Sequence, residues 1–158
     1  MSTPTVAKVR FVSPADSDLA YLIGRLDEDL LRRYPAESVH GLDFADPRID
    51  DIAFVVAYLN GTAIGCGAIR PLDEKCTELK RFYVEPECRG TGVAASMLLE
   101  LESEAGRRGF ESIRLETGAL QPEAIRFYEK NGYAPIPPFG EYVDCELSLC
   151  YEKDVRSS

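Results

Sequence analysis

The feature that most constrains this fold is a strand pattern that passes through a glycine-containing turn directly into an amphipathic helix. Apolar and aromatic residues between Cys76 and Val84 predict a strand that enters the turn. After the turn, apolar residues recur at helical spacing and predict a helix from Gly92 to Arg108, which Gly109 ends. These apolar positions are Val93, Ala94, Met97, Leu98, Leu101 and Ala105. A strand, a tight turn and a helix must therefore meet at one point.

The turn has the composition of an anion-binding site. Gly90 and Gly92 allow a positive φ angle and a close approach of a ligand to the main chain. The N–H groups from Gly90 to Ala94 can then point toward one anion, to which the helix N-terminus adds unpaired donors and a partial positive charge. The predicted phosphate-binding residues are Arg89, Gly90, Thr91, Gly92, Val93 and Ala94. The simpler alternative to an anion-binding site is an ordinary strand–turn–helix connection in which the glycines only form the turn.

The rest of the chain alternates strand and helix signals. Asn60-Gly61 lies between two apolar runs, which predicts a β-hairpin from residues 52–59 and 62–70. A strand over 8–12 and a helix over 15–34 precede it, with Ser13 or Asp16 as the helix cap and Gly24 as a weak point in the helix. The other predicted elements are a strand over 112–116, a helix over 123–130, a strand that begins at Tyr133 and a strand over 146–152.

Two segments resemble the GNAT superfamily of N-acetyltransferases. Arg89-x-x-Gly92-x-Ala94, after the strand end Val84-x-Pro86, is similar to the acyl-CoA pyrophosphate-binding motif of that family. Glu116-Thr117, followed by Ala124-Ile125-Arg126-Phe127-Tyr128-Glu129-Lys130-Asn131-Gly132-Tyr133, resembles the family's last conserved helix and strand. The resemblance implies an α/β fold with a mixed, mostly antiparallel sheet flanked by helices, formed by residues 1–158 as one domain.

The resemblance also implies an activity. Acetyl-CoA is the expected co-substrate, no metal is expected, and the acceptor is a primary amine of a small molecule that attacks directly in a ternary complex. A non-catalytic, regulatory acyl-CoA-binding module is one alternative. An acetyltransferase that acts on protein lysines or N-terminal amines is another.

Several members of the family place a catalytic glutamate on the strand that enters the turn, where this chain has Glu78. An amine with a pKa near about 10.4 is mostly protonated at neutral pH, so a base must remove its proton before it attacks. Strand alternation puts Glu78 and Lys80 on one face of the strand. Phe82 and Val84 are predicted on that same face. A structural glutamate that pairs with Lys80 or Arg81 is an equally supported alternative.

In the resembling motif, the tyrosine before Glu-Lys-x-Gly lies near the thioester sulfur, which makes Tyr128 the candidate general acid. A phenol with a pKa near about 10 can protonate the departing thiolate. The alternative is that Tyr128 and Phe127 pack on one helix face against the sheet. The resemblance further implies that main-chain groups of Phe82, Tyr83 and Val84 pair with the pantetheine arm, and that the Val84 amide donates to the oxyanion.

Other contacts rest on single residues or loops. Lys130 is a candidate for the 3′-phosphate of coenzyme A. Many relatives carry an asparagine where this chain has Gln121, so a contact between Gln121 and the cofactor is left open. By resemblance, the acceptor is expected to meet the loop from Ala36 to Asp51, which contains His40. The proline-rich loop from Pro137 to Tyr142 is a second candidate wall of the acceptor site.

Charge and composition narrow the range of partners. Eighteen basic and 27 acidic side chains give a net charge of −9, which opposes binding to nucleic acid and to anionic membranes. The sequence has no apolar stretch long enough for a membrane span and no secretory signal pattern, so we expect a cytoplasmic protein. The five cysteines lack zinc-binding spacing and are expected to be reduced thiols. The sequence is compatible with a homodimer.

Overall fold

A computed structural model describes residues 7–39 and 41–156. Within these residues the seven strands are β1 (Lys8–Val12), β2 (Ala53–Leu59), β3 (Thr62–Pro71), β4 (Cys76–Val84), β5 (Ser112–Gly118), β6 (Ala134–Ile136) and β7 (Ser148–Asp154). The same residues form the α-helices α1 (Ser17–Arg33), α2 (Val93–Arg107) and α3 (Pro122–Lys130). The strands make one sheet in the order β1-β2-β3-β4-β5-β7-β6, in which β4 and β5 are parallel and the other neighbours antiparallel. The predicted mixed, mostly antiparallel sheet flanked by helices is confirmed.

The helices cover both faces of the sheet. The buried contacts are Leu19, Leu22 and Leu26 of α1 on one face and Met97, Leu98 and Leu101 of α2 on the other. Asp16 caps α1 by accepting a hydrogen bond from the Leu19 N–H at 3.0 Å. The helix continues through Gly24, because burial of its apolar stripe outweighs the cost of about 1 kcal/mol for a helical glycine. Among the helices of the described residues, none is long and apolar enough to cross a membrane.

The predicted hairpin between β2 and β3 is confirmed. Asn60 and Gly61 have φ angles of 52° and 80°. Two consecutive positive φ angles are what a two-residue hairpin turn of type I′ requires. Strands β1 to β4 therefore follow one another as antiparallel neighbours.

Strands β4 and β5 are joined over part of their length. Their parallel pairing runs from Cys76 opposite Ser112 to Leu79 opposite Leu115. Beyond this point β4 continues to Val84 and β5 continues to Gly118, and the two strands separate. We call the opening between residues 80–84 and residues 116–118 the cleft. Strand edges that separate in this way offer main-chain groups to a third extended segment.

A β-bulge lies in β4 at the edge of the cleft. Ala68 pairs with Lys80 and Cys66 pairs with Tyr83, so one residue of β3 faces two residues of β4. Arg81, inside this bulge, has a φ angle of 53°. An extra residue in one strand changes which face the following side chains occupy.

The bulge corrects one prediction about β4. Leu79, Phe82 and Val84 all pack against the cluster around α2. Glu78 and Lys80 flank Leu79 and therefore lie on the opposite face. The prediction that Glu78 and Lys80 share a face with Phe82 and Val84 is wrong, because the additional residue reverses the alternation between Lys80 and Phe82.

Candidate active site

The turn before α2 has the backbone geometry of an anion-binding site. Gly90 and Gly92 have φ angles of 78° and 91°, which residues other than glycine rarely adopt. Gly92 caps α2, and the Ser96 N–H donates a hydrogen bond to the Gly92 carbonyl oxygen at 3.1 Å. The N–H groups of Val93 and Ala94 precede this bond, so the helical ladder does not use them.

Two side chains brace the turn. The Arg89 Nε donates to the Val84 carbonyl oxygen at 2.9 Å, and its guanidinium lies 5.6 Å from the centre of the Tyr83 ring. The Thr91 hydroxyl donates to the Cys88 carbonyl oxygen at 2.5 Å. Arg89 thus joins the turn to the end of β4 in addition to placing a positive charge there.

Helix α3 brings Tyr128 to the cleft. The centre of the Tyr128 ring lies 6.2 Å from that of Phe82 on β4 and 5.9 Å from that of Tyr133. Phe127 packs against Phe82 with ring centres 6.0 Å apart. Burial raises the pKa of Tyr128 above its ordinary value, and the Glu116 carboxylate adds to the shift. The hydroxyl therefore stays protonated at neutral pH, as a proton donor must.

The carboxylate of Glu78 is fully buried on the face opposite α2. Arg70 donates to one carboxylate oxygen at 2.6 Å, and the Tyr142 hydroxyl donates to the other at 2.5 Å. The Lys80 Nζ lies 3.7 Å from the second oxygen and donates to the Tyr142 hydroxyl oxygen at 2.9 Å. The alternative pairing of Glu78 with Lys80 is therefore present, although Arg70 and Tyr142 are its closer partners.

Tyr142 closes this buried cluster from the predicted acceptor loop. Its side chain is 2% exposed. Burial raises the pKa of Tyr142, and Glu78 adds to the shift. Burial lowers the pKa of Lys80, while Glu78 and Glu141 act in the opposite direction. The cluster connects β4 to the segment between β6 and β7, so Tyr142 attaches the loop from Pro137 to Tyr142 to β4.

Charged side chains of alternating sign cross this face of the sheet. Arg70 lies opposite Glu78, Glu78 opposite Arg114, and Arg114 opposite Glu152. The Arg114 Nε donates to Glu152 at 2.6 Å, and its guanidinium lies 5.6 Å from the Phe139 ring centre. Each charge thus has a neighbour of opposite sign, which is the condition for burying charged groups.

A small pocket opens at the end of β5, beside the end of α1, with a volume of about 50 Å³. Glu116 lines it, and the Ser148 hydroxyl donates to the Glu116 carboxylate at 2.6 Å. Leu30, Val39 and Leu147 supply apolar walls. Tyr34, Ser38, Gln121 and Ser148 supply polar walls, and a carboxylate and a cation placed close together each favour the charged form of the other. In the sequence, Glu116 is noted only as part of the family motif Glu116-Thr117. Its place near the end of a predicted strand was the one sequence feature that could have indicated a pocket residue.

The side chain of Gln121 is directed toward the protein. The Gly118 N–H donates to its Oε1 at 3.3 Å, and the Tyr34 hydroxyl donates to the same atom at 3.5 Å. The side-chain oxygen of Gln121 therefore stabilises the turn between β5 and α3 by accepting these hydrogen bonds. Lys130 is exposed at the end of α3. His40 lies outside the described residues.

The chain resembles known proteins over most of its length. A family model for the acetyltransferase (GNAT) family matches residues 23–133. An IAA acetyltransferase of Azospirillum brasilense is 41% identical over 142 residues, which cover 89% of this chain and 93% of the relative.

Solved structures share the fold. A Klebsiella pneumoniae protein described as an acyl-CoA N-acyltransferase has a TM-score of 0.83 and 30% identity, and the match covers 95% of this chain and 98% of that chain. The PaiA N-acetyltransferase of Thermoplasma acidophilum, solved in complex with coenzyme A, has a TM-score of 0.69 and 21% identity over 94% of this chain and 99% of that chain. The chain therefore belongs to the GNAT family of N-acetyltransferases.

Proposed function

We propose that residues 1–158 form one N-acetyltransferase domain that transfers an acetyl group from acetyl-CoA to a primary amine of a small molecule. The observation that carries this proposal is the cleft, which opens where β4 and β5 separate after Leu79 and Leu115. The glycine turn follows β4, and the Glu116 pocket lies at the end of β5. This arrangement supports an extended thiol arm in the cleft, with a diphosphate and an amine at its two neighbouring sites.

The residues that would hold acetyl-CoA fit it chemically. The N–H groups from Gly90 to Ala94 are candidates to donate to the diphosphate, with Arg89 as a nearby cation. Main-chain groups of β4 from Phe82 to Val84 are candidates to pair with the pantetheine arm. The Val84 amide would then donate to the oxygen on which negative charge develops.

Replacing Gly92 with valine is expected to weaken coenzyme A binding by about tenfold. A side chain at a left-handed position costs about 1–2 kcal/mol, and Gly92 has a φ angle of 91°. The turn of the variant should rotate and move its N–H groups away from the diphosphate. Isothermal titration calorimetry with coenzyme A measures the change.

Gly109 provides the matched control, because it ends the same helix with a φ angle of 87°. Gly109→Val should strain the backbone to a similar degree and leave coenzyme A affinity unchanged. A Gly92→Val protein that binds coenzyme A as tightly as the wild type would contradict the placement of the diphosphate.

Glu78 and Tyr128 are the proposed base and acid. Glu78 takes one proton from the ammonium group, and the neutral amine nitrogen then attacks the thioester carbonyl carbon. The carbon–sulfur bond breaks, Tyr128 gives a proton to sulfur, and the second proton of the nitrogen restores the Tyr128 hydroxyl. Since Glu78 is fully buried, we propose that the proton reaches it through the Tyr142 hydroxyl or a water molecule. The position of Tyr128 beside Phe82 of β4, with ring centres 6.2 Å apart, supports its role as the proton donor.

Direct attack is favoured over an acyl-enzyme on Cys88. Burial raises the pKa of the Cys88 thiol, and the carboxylates of Glu87 and Glu85 add to the shift. A raised pKa lowers the thiolate fraction that an acyl carrier requires. The free cysteines support the proposed cytoplasmic location.

The Glu116 pocket supports a small cationic acceptor. Its volume of about 50 Å³ suits an amine group better than a folded peptide segment. The net charge of −9 attracts cations to the surface. The Azospirillum relative is named an IAA acetyltransferase, which supports a small-molecule acceptor over a protein.

A thiol-release assay on the full chain tests the function. The protein is incubated with acetyl-CoA and, separately, with polyamines, amino acids, aminoglycosides and peptides. Release of coenzyme A only when a small amine is present is the expected result. Binding of acetyl-CoA without release for any amine would favour a regulatory module, and release with peptides alone would favour a protein acceptor.

Replacing Glu116 with glutamine is expected to raise the KM for the amine by about tenfold, since a charge-assisted hydrogen bond contributes about 1.5–3 kcal/mol. Affinity for coenzyme A should not change. Initial rates at varied amine concentration measure the effect. Glu100→Gln, which removes an exposed carboxylate from α2, is the control for net charge. An unchanged KM in Glu116→Gln would exclude this pocket as the amine site.

A further inference from the structure

The C-terminal end of α1 crosses from one side of the cleft to the other. Its buried face packs against β2, β3 and β4. Two charged pairs fasten the helix near the end of β4: Arg25 donates to Glu85 at 3.1 and 3.0 Å, and Arg81 donates to Asp27. At its end, however, Tyr34 contacts the turn between β5 and α3, on the far side of the cleft.

Tyr34 makes this contact through its hydroxyl. The Leu120 N–H donates to the Tyr34 oxygen at 3.1 Å, and the Tyr34 hydroxyl donates to Gln121 Oε1 at 3.5 Å. The Gly118 N–H donates to the same Oε1 at 3.3 Å. Tyr34 is 7% exposed, so little water competes for these hydrogen bonds. We call Tyr34, Gly118, Leu120 and Gln121 the Tyr34 junction.

Gly118 lacks a side chain at the place where Tyr34 needs the space. A Cβ atom on Gly118 would lie 1.7 Å from the Tyr34 hydroxyl oxygen and 3.0 Å from Gln121 Oε1. The φ angle of Gly118 lies outside the left-handed region, so its backbone conformation does not itself require glycine. Glycine at this position therefore allows the Tyr34 side chain to approach the main chain of β5.

A second contact joins the same two segments. The Arg33 guanidinium lies 3.0 Å from the Glu123 carboxylate. Glu123 is in the first turn of α3, the helix that brings Tyr128 to the cleft. The position of α3 relative to β4 therefore depends on α1, which is attached to both.

We propose that Tyr34 is a positioning residue that holds α3, and with it Tyr128, at a fixed distance from β4 across the cleft. The inference rests on the proposed acetyl transfer and adds a residue that acts on Tyr128 through α3. Tyr34, Gly118 and Gln121 also line the Glu116 pocket. One junction thus sets both the width of that pocket and the placement of the acid. A displacement of about 1 Å between reacting groups lowers a rate by roughly a hundredfold.

The test is Tyr34→Phe, which keeps the ring and removes the hydroxyl. We expect kcat to fall by about tenfold to a hundredfold, with unchanged affinity for coenzyme A. Amide hydrogen exchange at Leu120 and in the first turn of α3 should become faster. Tyr58→Phe is the matched control, because it removes a hydroxyl that donates to Asp18 of α1 at 2.8 Å. Tyr58 lies on β2, away from the cleft. That variant should keep its kcat.

Gln121→Ala provides a second route to the same junction. It should lower kcat as Tyr34→Phe does, and the double variant should fall no further, since residues that act through one contact are not additive. Two effects that add independently would overturn the junction as a unit.

Faster exchange at Leu120 with an unchanged kcat would also overturn the inference, because Tyr34 would then only stabilise the turn. Unchanged exchange at Leu120 in Tyr34→Phe would do the same. The proposed function fails separately: a wild-type protein that releases no coenzyme A with any amine would contradict acetyl transfer before a variant is compared.

Discussion

Replacement of Tyr128 by phenylalanine is expected to lower kcat by about 10²–10⁴-fold, the range for loss of a general acid. The ring stays in contact with Phe82, 6.2 Å between centres, so packing should change little. Burial raises the pKa of Tyr128, which keeps the wild-type acid protonated at neutral and mildly alkaline pH. The measurement is the initial rate of amine-dependent coenzyme A release at saturating acetyl-CoA.

Tyr133→Phe is the matched control within the same aromatic cluster. The Tyr133 hydroxyl donates to Glu102 at 2.9 Å, and its ring centre lies 5.9 Å from that of Tyr128. Its removal should affect stability more than kcat. In the wild type, the alkaline decline of kcat that reports on the acid should lie above the ordinary tyrosine pKa of about 10. Equal kcat in the wild type and Tyr128→Phe would show that Tyr128 packs against the sheet without supplying a proton.

Elements set by a few neighbouring residues could be predicted from the sequence. Strand β4 has its predicted bounds, and α2 begins one residue after the predicted Gly92. Asn60-Gly61 forms the predicted hairpin turn. These elements depend on the backbone conformation of one or two residues, and the residue types at those positions indicate that conformation directly. The spacing of the Arg89 and Tyr128 motifs then indicated the GNAT fold, which the comparisons confirm.

Contacts between distant parts of the chain could not be predicted in this way. Glu78 meets Tyr142, 64 residues later, and Tyr34 meets Leu120, 86 residues later. The bulge at Arg81 changed the face of the later β4 side chains, because strand alternation assumes an unbroken strand. The Glu116 pocket depends on several such contacts, so its shape became visible only in the folded chain.

Replacement of Glu78 by glutamine is expected to lower the free energy of unfolding by about 3–5 kcal/mol, as for other buried charges that lose their partner. Glutamine keeps the shape of the side chain but removes the negative charge that lies 2.6 Å from Arg70 and 3.7 Å from Lys80. The Lys80 side chain is 3% exposed, so water cannot replace that charge. Urea denaturation with linear extrapolation measures the loss.

The loss in Glu78→Gln should depend on pH. Burial already lowers the pKa of Lys80, and Glu78 opposes that effect, so the pKa of Lys80 should fall further in the variant. The unfolded chain then binds more protons than the folded chain, and stability rises with pH. The difference from the wild type should shrink as the pH approaches the unfolded lysine pKa of about 10.4.

Lys80→Met in the Glu78→Gln background separates the structural role of Glu78 from its proposed role as a base. The second substitution removes the uncompensated buried cation and should restore much of the lost stability. If Glu78 accepts the amine proton, kcat of the double variant should stay about 10²–10⁴-fold below that of Lys80→Met alone, although the fold is recovered. A double variant as active as Lys80→Met would show that Glu78 holds the charged cluster together and takes no part in proton transfer.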